Sequence, residues 1–462
     1  MSHDCVIIGG GPAGISAALC SASLGLRTLM IDEQSKPGGQ IYRNIEAADT
    51  VVRRLLGPDY AHGLSLVEQL AHSGVEVQRG GFVWDIAGDL TVSVSRNGRS
   101  SQIRALQVLA ATGAMERASP IPGWTLPGVM NAGAAQIALK TSGSIPSGKV
   151  VLVGGGPLLL LVACQLLGAG ADVVGLVETM PAANLAFAFR HLPRALLAPG
   201  YLAKGLKMLT KLRKSGVPHF KRASAVRVEG KEFATGISFE SGGKPYQLNA
   251  DMVLLHHGVV PNTQLGRMLR VEHTWDDEQL TWHPRVDEWG NTSMPGFRVI
   301  GDGAKISGAL AAEASGKLAA LDAAFSIGRI SREERDQRAA PSLKALRGHR
   351  NVRPFLDALY KPPKWIGCPS DDSTIVCRCE EVTAGRIREM ARLGCRGPNQ
   401  TKFFSRCGMG PCQGRMCGLT VTQLLSDELG TSPANVGSYH IRAPLKPIPL
   451  SAIAGIDTSE RK

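Results

Sequence analysis

Residues 4–33, DCVIIGGGPAGISAALCSASLGLRTLMIDE, decide the fold. Residues 4–8 read as a short buried strand, 9–14 as a turn, 15–24 as a helix and 27–32 as a second strand. Gly9, Gly11 and Gly14 stand in G-x-G-x-x-G spacing, with Pro12 and Ala13 inside it. The first glycine permits the tight turn, the second lets a pyrophosphate approach the backbone, and the third lets the helix lie close to the strand. The helix N-terminus then stabilises phosphate charge. Asp32 closes the second strand with Glu33 beside it, where an acid binds a ribose diol. Glycine spacing alone is a weak signal, but with strand, helix and acid in place it specifies a dinucleotide site.

The unit recurs about 145 residues later. Residues 148–178, GKVVLVGGGPLLLLVACQLLGAGADVVGLVE, again read as strand, turn, helix and strand. Gly154 and Gly156 keep the first two glycine positions, but Leu159 fills the third and should hold the helix off the strand. Glu178 ends the second strand, where a carboxylate suits a ribose diol and disfavours a 2′-phosphate. NAD, another adenine nucleotide and a vestigial turn all fit this second site. Two further strands end in small-residue turns: residues 101–114 at Thr112 and Gly113, and residues 250–263, ADMVLLHHGVVPNT. His256 and His257 end the latter strand, and histidines there read as structural rather than catalytic.

Ten cysteines fall into two groups. Cys5, Cys20 and Cys164 lie in elements of the two glycine units and read as buried structural thiols. No C-x-x-C precedes residue 370, so a redox disulfide near the first site is unsupported. Near the C-terminus, Cys377 and Cys379 form a C-x-C pair in IVCRCEE, and Cys407 and Cys412 a C-x4-C pair in SRCGMGPCQGR. Strand alternation points Cys377 and Cys379 to one side. Thr383 reads as the N-cap of a helix from Ala384, with Gly394 near its end. Cys412 is expected to open a final helix, which carries Cys417 about 140° around, away from a shared site. Cys368 and Cys395 read as isolated. Two converging thiolate pairs suit an iron–sulfur cluster or a structural zinc ion. Arg378, Arg406 and Arg415 flank them, where they would offset the charge of a reduced cluster.

The bulk composition is that of an ordinary globular protein of several domains: 462 residues, 44% hydrophobic and 20% charged. The net charge of +13 suits an acidic partner or a membrane surface. With aromatics at 5% and no nucleic-acid motif, nucleic acid is not an expected partner. The N-terminus has no basic, apolar leader, which predicts a cytoplasmic protein, peripheral at most to the inner membrane face. Residues 181–222 form a basic insertion, read as an amphipathic helix with a solvated face.

Residues 294–320, MPGFRVIGDGAKISGALAAEASGKLAA, place Gly301 and Asp302 between a strand and a small-residue helix. This resembles the second FAD motif of the glutathione- and thioredoxin-reductase-like flavoproteins, in which the acid binds the ribityl chain. Residues 36–43, KPGGQIYR, with Gly39 and Gln40, resemble that family's segment beside the flavin. The cysteine module resembles the bacterioferritin-associated-ferredoxin-like [2Fe-2S] domain, with a wider second pair. Its CGMGPCQGR form is similar to that of the flavoprotein subunits of heteromeric opine oxidases, hydroxyproline dehydrogenases and hydrogen cyanide synthase.

The resemblance implies an α/β fold with two Rossmann-like domains and a small α-rich [2Fe-2S] module. The expected divisions are 1–145 and 266–325 for FAD binding, 146–265 for the second nucleotide domain, 326–370 as a linker or cover, 371–430 for the module and 431–462 as a tail. It also implies an FAD-dependent electron-transfer subunit. Its expected companions are a D-amino-acid-oxidase-like flavoprotein, one more small subunit and a downstream acceptor. A self-contained NADH-dependent reductase and a flavoprotein with a zinc-stabilised interaction module are the rival readings.

Overall fold

The computed structural model describes residues 3–456. Its first sheet grows from strand His3–Ile8, apolar from Cys5 onward, which pairs in parallel with Thr28–Asp32 on one side and with the second half of Arg99–Ala110 on the other. Glu76–Arg79 extends one edge, and Phe297–Val299 returns from far along the chain to pair with Val108 to Ala110. The first half of Arg99–Ala110 instead pairs antiparallel with Thr91–Arg96, so one long strand belongs to two layers. The central strands are buried on both faces, as parallel strands covered by helices must be.

A second parallel sheet follows the order His219–Phe220, Asp172–Glu178, Lys149–Gly154, Met252–His256, Val129–Asn131. A three-stranded antiparallel sheet, residues 224–249, lies beside it. The two units are joined by the antiparallel pairing of Ala114–Glu116 with Val259–Pro261. This pairing sets the turn at Thr112 and Gly113 against the end of the second unit: Thr112 Oγ1 donates to Asn262 O at 3.1 Å, and Asn262 N–H to Gly113 O at 3.0 Å.

Helix Pro12–Ser23 packs along helix Ala309–Ser326, and glycine makes the approach close. A Cβ at Gly316 would stand 2.1 Å from Ala13 O. Residues 326–370 hold more structure than a linker. Ser331 caps helix Arg332–Arg350 by accepting from Glu334 N–H, and Arg353–Leu359 follows. Helices Ala182–Phe189 and Pro199–Lys214 occupy the basic insertion. In the latter, Met208, Leu209 and Leu212 face the core, while Leu206 is exposed. Among the described residues, no helix is long and apolar enough to cross a membrane.

The cysteine module combines the short hairpin of Ile375–Cys377 and Val382–Thr383 with helices Ala384–Arg392, Pro398–Ser405 and Gly418–Leu429. Thr383 caps the first of these helices, accepting from Arg386 N–H. The chain then runs back to the first unit, where Leu445 N–H donates to Trp84 O and Lys446 pairs with Glu33.

Candidate functional site

The first glycine turn is built by backbone contacts that exclude side chains. A Cβ on Gly14 would lie 1.9 Å from Gly9 O, so the helix touches the strand. Gly39 has φ +61° and would place a Cβ 2.7 Å from Gly11 Cα, which seats the KPGGQ segment on the turn. Gly38 N–H donates to Gly10 O at 2.7 Å and fixes it there. Asp32 is buried and accepts from Gly10 N–H at 3.1 Å and Gln34 N–H at 2.9 Å. Burial pushes its carboxyl above the usual range, against those two hydrogen bonds. Asp302 Oδ1 accepts from Ser307 and Gly308 N–H at 2.7 and 3.0 Å. Gly9, Gly11, Pro12, Ala13, Asp32, Glu33, Gly39, Gln40, Thr112, Gly113 and Asp302 all border one cavity of about 1520 Å³. Gly14 and Gly301 stand behind that wall as packing glycines, Gly301 because a Cβ there would meet Ala13 Cβ at 2.7 Å. A cradle of positive-φ and side-chain-free positions around so large a cavity fits a dinucleotide such as FAD.

The same cavity reaches Gly156 in the second turn. Gly154 and Gly156 have φ +133° and +118°, and Leu159 is fully buried against the sheet. Met180 leans over this turn, so that a Cβ on Gly155 would lie 2.8 Å from its Cγ. Glu178 is not among the residues bordering the cavity. One of its oxygens is taken by His219 Nε2 at 2.8 Å, a partner from a two-residue strand beyond the expected diol position.

Several residues that no motif marks line the cavity. Lys140, on helix Ala132–Ser142, is buried and donates to Gln40 O at 3.0 Å and Gln136 Oε1 at 2.9 Å. Burial, with Arg43 adding repulsion, pushes its ammonium down to about 7. Tyr42 donates to Glu313 at 3.0 Å, and His62 approaches the same carboxylate at 3.2 Å. Arg353 and Tyr360, from the segment after residue 326, close one side. Of these, Tyr42, Arg43 and Glu313 sit in segments that the sequence marks, and the others do not.

His257 is structural, as the sequence suggests. Ser119 Oγ lies 2.8 Å from its Nδ1 and Thr179 Oγ1 3.1 Å from its Nε2, and its ring packs edge-on to Trp365. Burial, helped by His256 and Arg117, pushes it down from 6.5 to about 3. Between those values the unfolded chain binds a proton here that the native chain does not, so stability rises with pH across the window and is lost as pH falls toward 3. His257→Gln is therefore expected to flatten urea-unfolding stability between about pH 4 and pH 6, by up to about 1.4 kcal/mol per pH unit. An unchanged slope would contradict the neutral buried ring.

In the module, each member of the C-x-C pair meets one member of the C-x4-C pair: Cys377 contacts Cys407, and Cys379 contacts Cys412. Gly408 N–H donates to Cys377 Sγ at 3.5 Å. A Cβ on Gly410 would lie 2.3 Å from Cys379 Cβ, so glycine is what lets this loop wrap the sulfurs. Two expectations need correction. The last helix begins at Gly418, not at Cys412, because Gln413 and Gly414 turn the chain through φ +48° and +78°. Cys412 therefore gains no helix N-terminus. Cys417 also does not point elsewhere: its sulfur lies within 4.8 Å of those of Cys377 and Cys407. The neighbouring Cys407 and Cys417 thiols push the Cys377 thiol well below its usual range. Cys407 is correspondingly raised to about 12, and Cys417 is raised well above its usual value. Four sulfurs paired across two loops, with backbone N–H and glycine close by, fit a four-thiolate cluster.

Arg406 pairs with Glu380 at 2.9 Å. Arg415 and Met416, in the loop between Cys412 and Cys417, border the large cavity.

Residues 3–317 match the family described as pyridine nucleotide-disulphide oxidoreductase, and residues 371–456 match the sarcosine oxidase A3 domain. The chain is 42% identical to the opine oxidase A-chain of Agrobacterium tumefaciens (strain Ach5), over 99% of this chain and 93% of that protein. It is 32% identical to the HcnB component of hydrogen cyanide synthase of Pseudomonas aeruginosa, over 98% of each. Among solved structures, L-proline dehydrogenase from P. horikoshii superposes with a TM-score of 0.72 at 20% identity, covering 98% of this chain and 79% of that one.

Proposed function

The chain belongs to the pyridine nucleotide-disulphide oxidoreductase family and, over its whole length, to the opine oxidase A-chains; from that premise we propose that it is the electron-transfer subunit of a heteromeric dehydrogenase acting on the CH–NH bond of an amino acid, imino acid or opine. The chain is an FAD-dependent oxidoreductase with a Rossmann-like α/β fold. When bound, FAD can take electrons as a pair and release them one at a time, and a [2Fe-2S] cluster would carry them singly, so the two together would convert a two-electron input into one-electron output. One observation carries the reading: Arg415 and Met416 belong at once to the cysteine loop and to the wall of the flavin cavity. The loop between Cys412 and Cys417 therefore also forms part of the cavity wall.

In this reading Cys377, Cys379, Cys407 and Cys412 hold the cluster. The two glycine turns with Asp32 and Asp302 hold FAD and a second nucleotide. Amine oxidation falls to a D-amino-acid-oxidase-like flavoprotein partner, because the cavity here is spanned by nucleotide-binding turns. In the helix before the second cysteine pair, Phe403 and Phe404 are 78% and 62% exposed, and Arg378, Arg396 and Arg406 of the same module are exposed too. An apolar spot with a basic rim fits a partner protein with an acidic rim. A cytoplasmic location accompanies the proposal.

The test is anaerobic flavin reduction. The purified chain is expected to bleach little with NADH and not at all with an amino acid or opine, and to be reduced by its amine only when co-purified with the partner flavoprotein. Rapid bleaching of the lone chain by NADH would instead favour a self-contained reductase.

A further inference from the structure

The second glycine turn keeps Gly154 and Gly156, the positions that let a phosphate approach, and has Leu159 at the position that packs the helix on the strand. A buried side chain stands beside that turn. His256 ends strand Met252–His256 directly opposite Gly154. Its side chain is only 3% exposed, and Nδ1 is bound to Glu116 Oε1 at 2.6 Å. The other oxygen of Glu116 accepts Gly133 N–H at 2.9 Å, which fixes the carboxylate. Among the described residues Nε2 has no hydrogen-bond partner. It is aimed at the turn, 3.6 Å from the point where a Cβ of Gly156 would stand. Gly156 precedes the 12-residue helix Pro157–Gly168, and both Gly156 and His256 border the cavity.

The geometry points to His256 as the phosphate-binding residue of the second nucleotide site, held by Glu116 so that Nε2 meets a pyrophosphate at the start of helix Pro157–Gly168. This rests on the proposal above that the second turn binds a nucleotide. With Glu116 accepting from Nδ1–H, the ring donates Nε2–H to a phosphate in its doubly protonated form, as a charge-assisted donor beside the positive end of the helix. Glu178, already bound to His219, takes no part. The ligand class is a nucleotide with two or more phosphates, and the phosphate contact is the same whether it is a mononucleotide or a dinucleotide such as NAD.

Calorimetric titration of the FAD-loaded full-length protein with ADP, NAD and adenosine tests this. His256→Asn is expected to weaken ADP and NAD by roughly tenfold or more, the worth of a hydrogen bond to a charged group, with adenosine changed less than about twofold. Glu116→Gln retains an acceptor for Gly133 N–H and is expected to shift ADP in the same direction, by less. An unaltered flavin spectrum shows that each variant is folded. Equal ADP affinity in wild type and His256→Asn overturns the assignment and leaves the second site standing, as does an equal loss for adenosine and ADP. Failure of wild type to bind any of the three overturns the second site together with it.

Discussion

Serine at Cys379 or Cys412 is expected to strip the chain of iron, from about two atoms to near zero, while serine at Cys417 leaves it in place. The expectation comes from how the sulfurs are held. Cys377 with Cys407, and Cys379 with Cys412, form two contacts, each joining one loop to the other. A two-iron cluster needs two thiolates at each iron, and this pairing supplies them. Cys417 is a buried thiol at the first residue before helix Gly418–Leu429, beside the contact of Cys377 with Cys407. Its loss should shift the visible spectrum by removing a sulfur next to the ligands, without releasing iron. Iron content and visible absorbance beyond the flavin band check the series. Retention of iron in Cys412→Ser with loss in Cys417→Ser would make Cys377, Cys379, Cys407 and Cys417 the ligands.

Gly11→Val is expected to yield a folded chain that purifies with little FAD and keeps its iron. Gly11 has φ −83° and ψ −174°, which any residue adopts, and a Cβ there would meet nothing closer than Gly39 Cα at 3.8 Å. The protein tolerates the side chain, but the space it enters is the path of a pyrophosphate to the helix N-terminus. The expected loss in FAD affinity is roughly 10- to 100-fold, about 1.4–3 kcal/mol, read by flavin titration of the apoprotein. Gly14→Ala separates the two roles of glycine. Its Cβ would collide with Gly9 O at 1.9 Å, so it should lower the unfolding temperature as well. Normal FAD content in folded Gly11→Val would remove the turn from the cofactor site.

The first glycine unit is legible in the sequence because each of its signals is local: a buried strand, a glycine turn, a helix and an acid within about thirty residues. The cap at Ser331, three residues before Glu334, is equally local, and the helix behind it is obscured by the charge of residues 332–350. Cys417 is misplaced when helical periodicity is carried back to Cys412, across two residues whose positive φ ends any helix. Glu178 looks free in the sequence because its partner, His219, arrives from 41 residues away. Lys140 belongs to no motif, and His256 and Glu313 lie in marked segments without being marked as binding residues. They matter through contacts made across the fold, with Gln40, Glu116 and Tyr42. Spacing identifies residues that act with their sequence neighbours, whereas a cavity wall gathers residues from the whole chain.

Iron, zinc, acid-labile sulfide and FAD quantified in the purified wild-type chain decide between a cluster and a zinc site. Iron and sulfide are expected in equal amounts, about two of each per FAD, with little zinc. Zinc bound at the cysteine module with no iron and no sulfide would contradict the cluster.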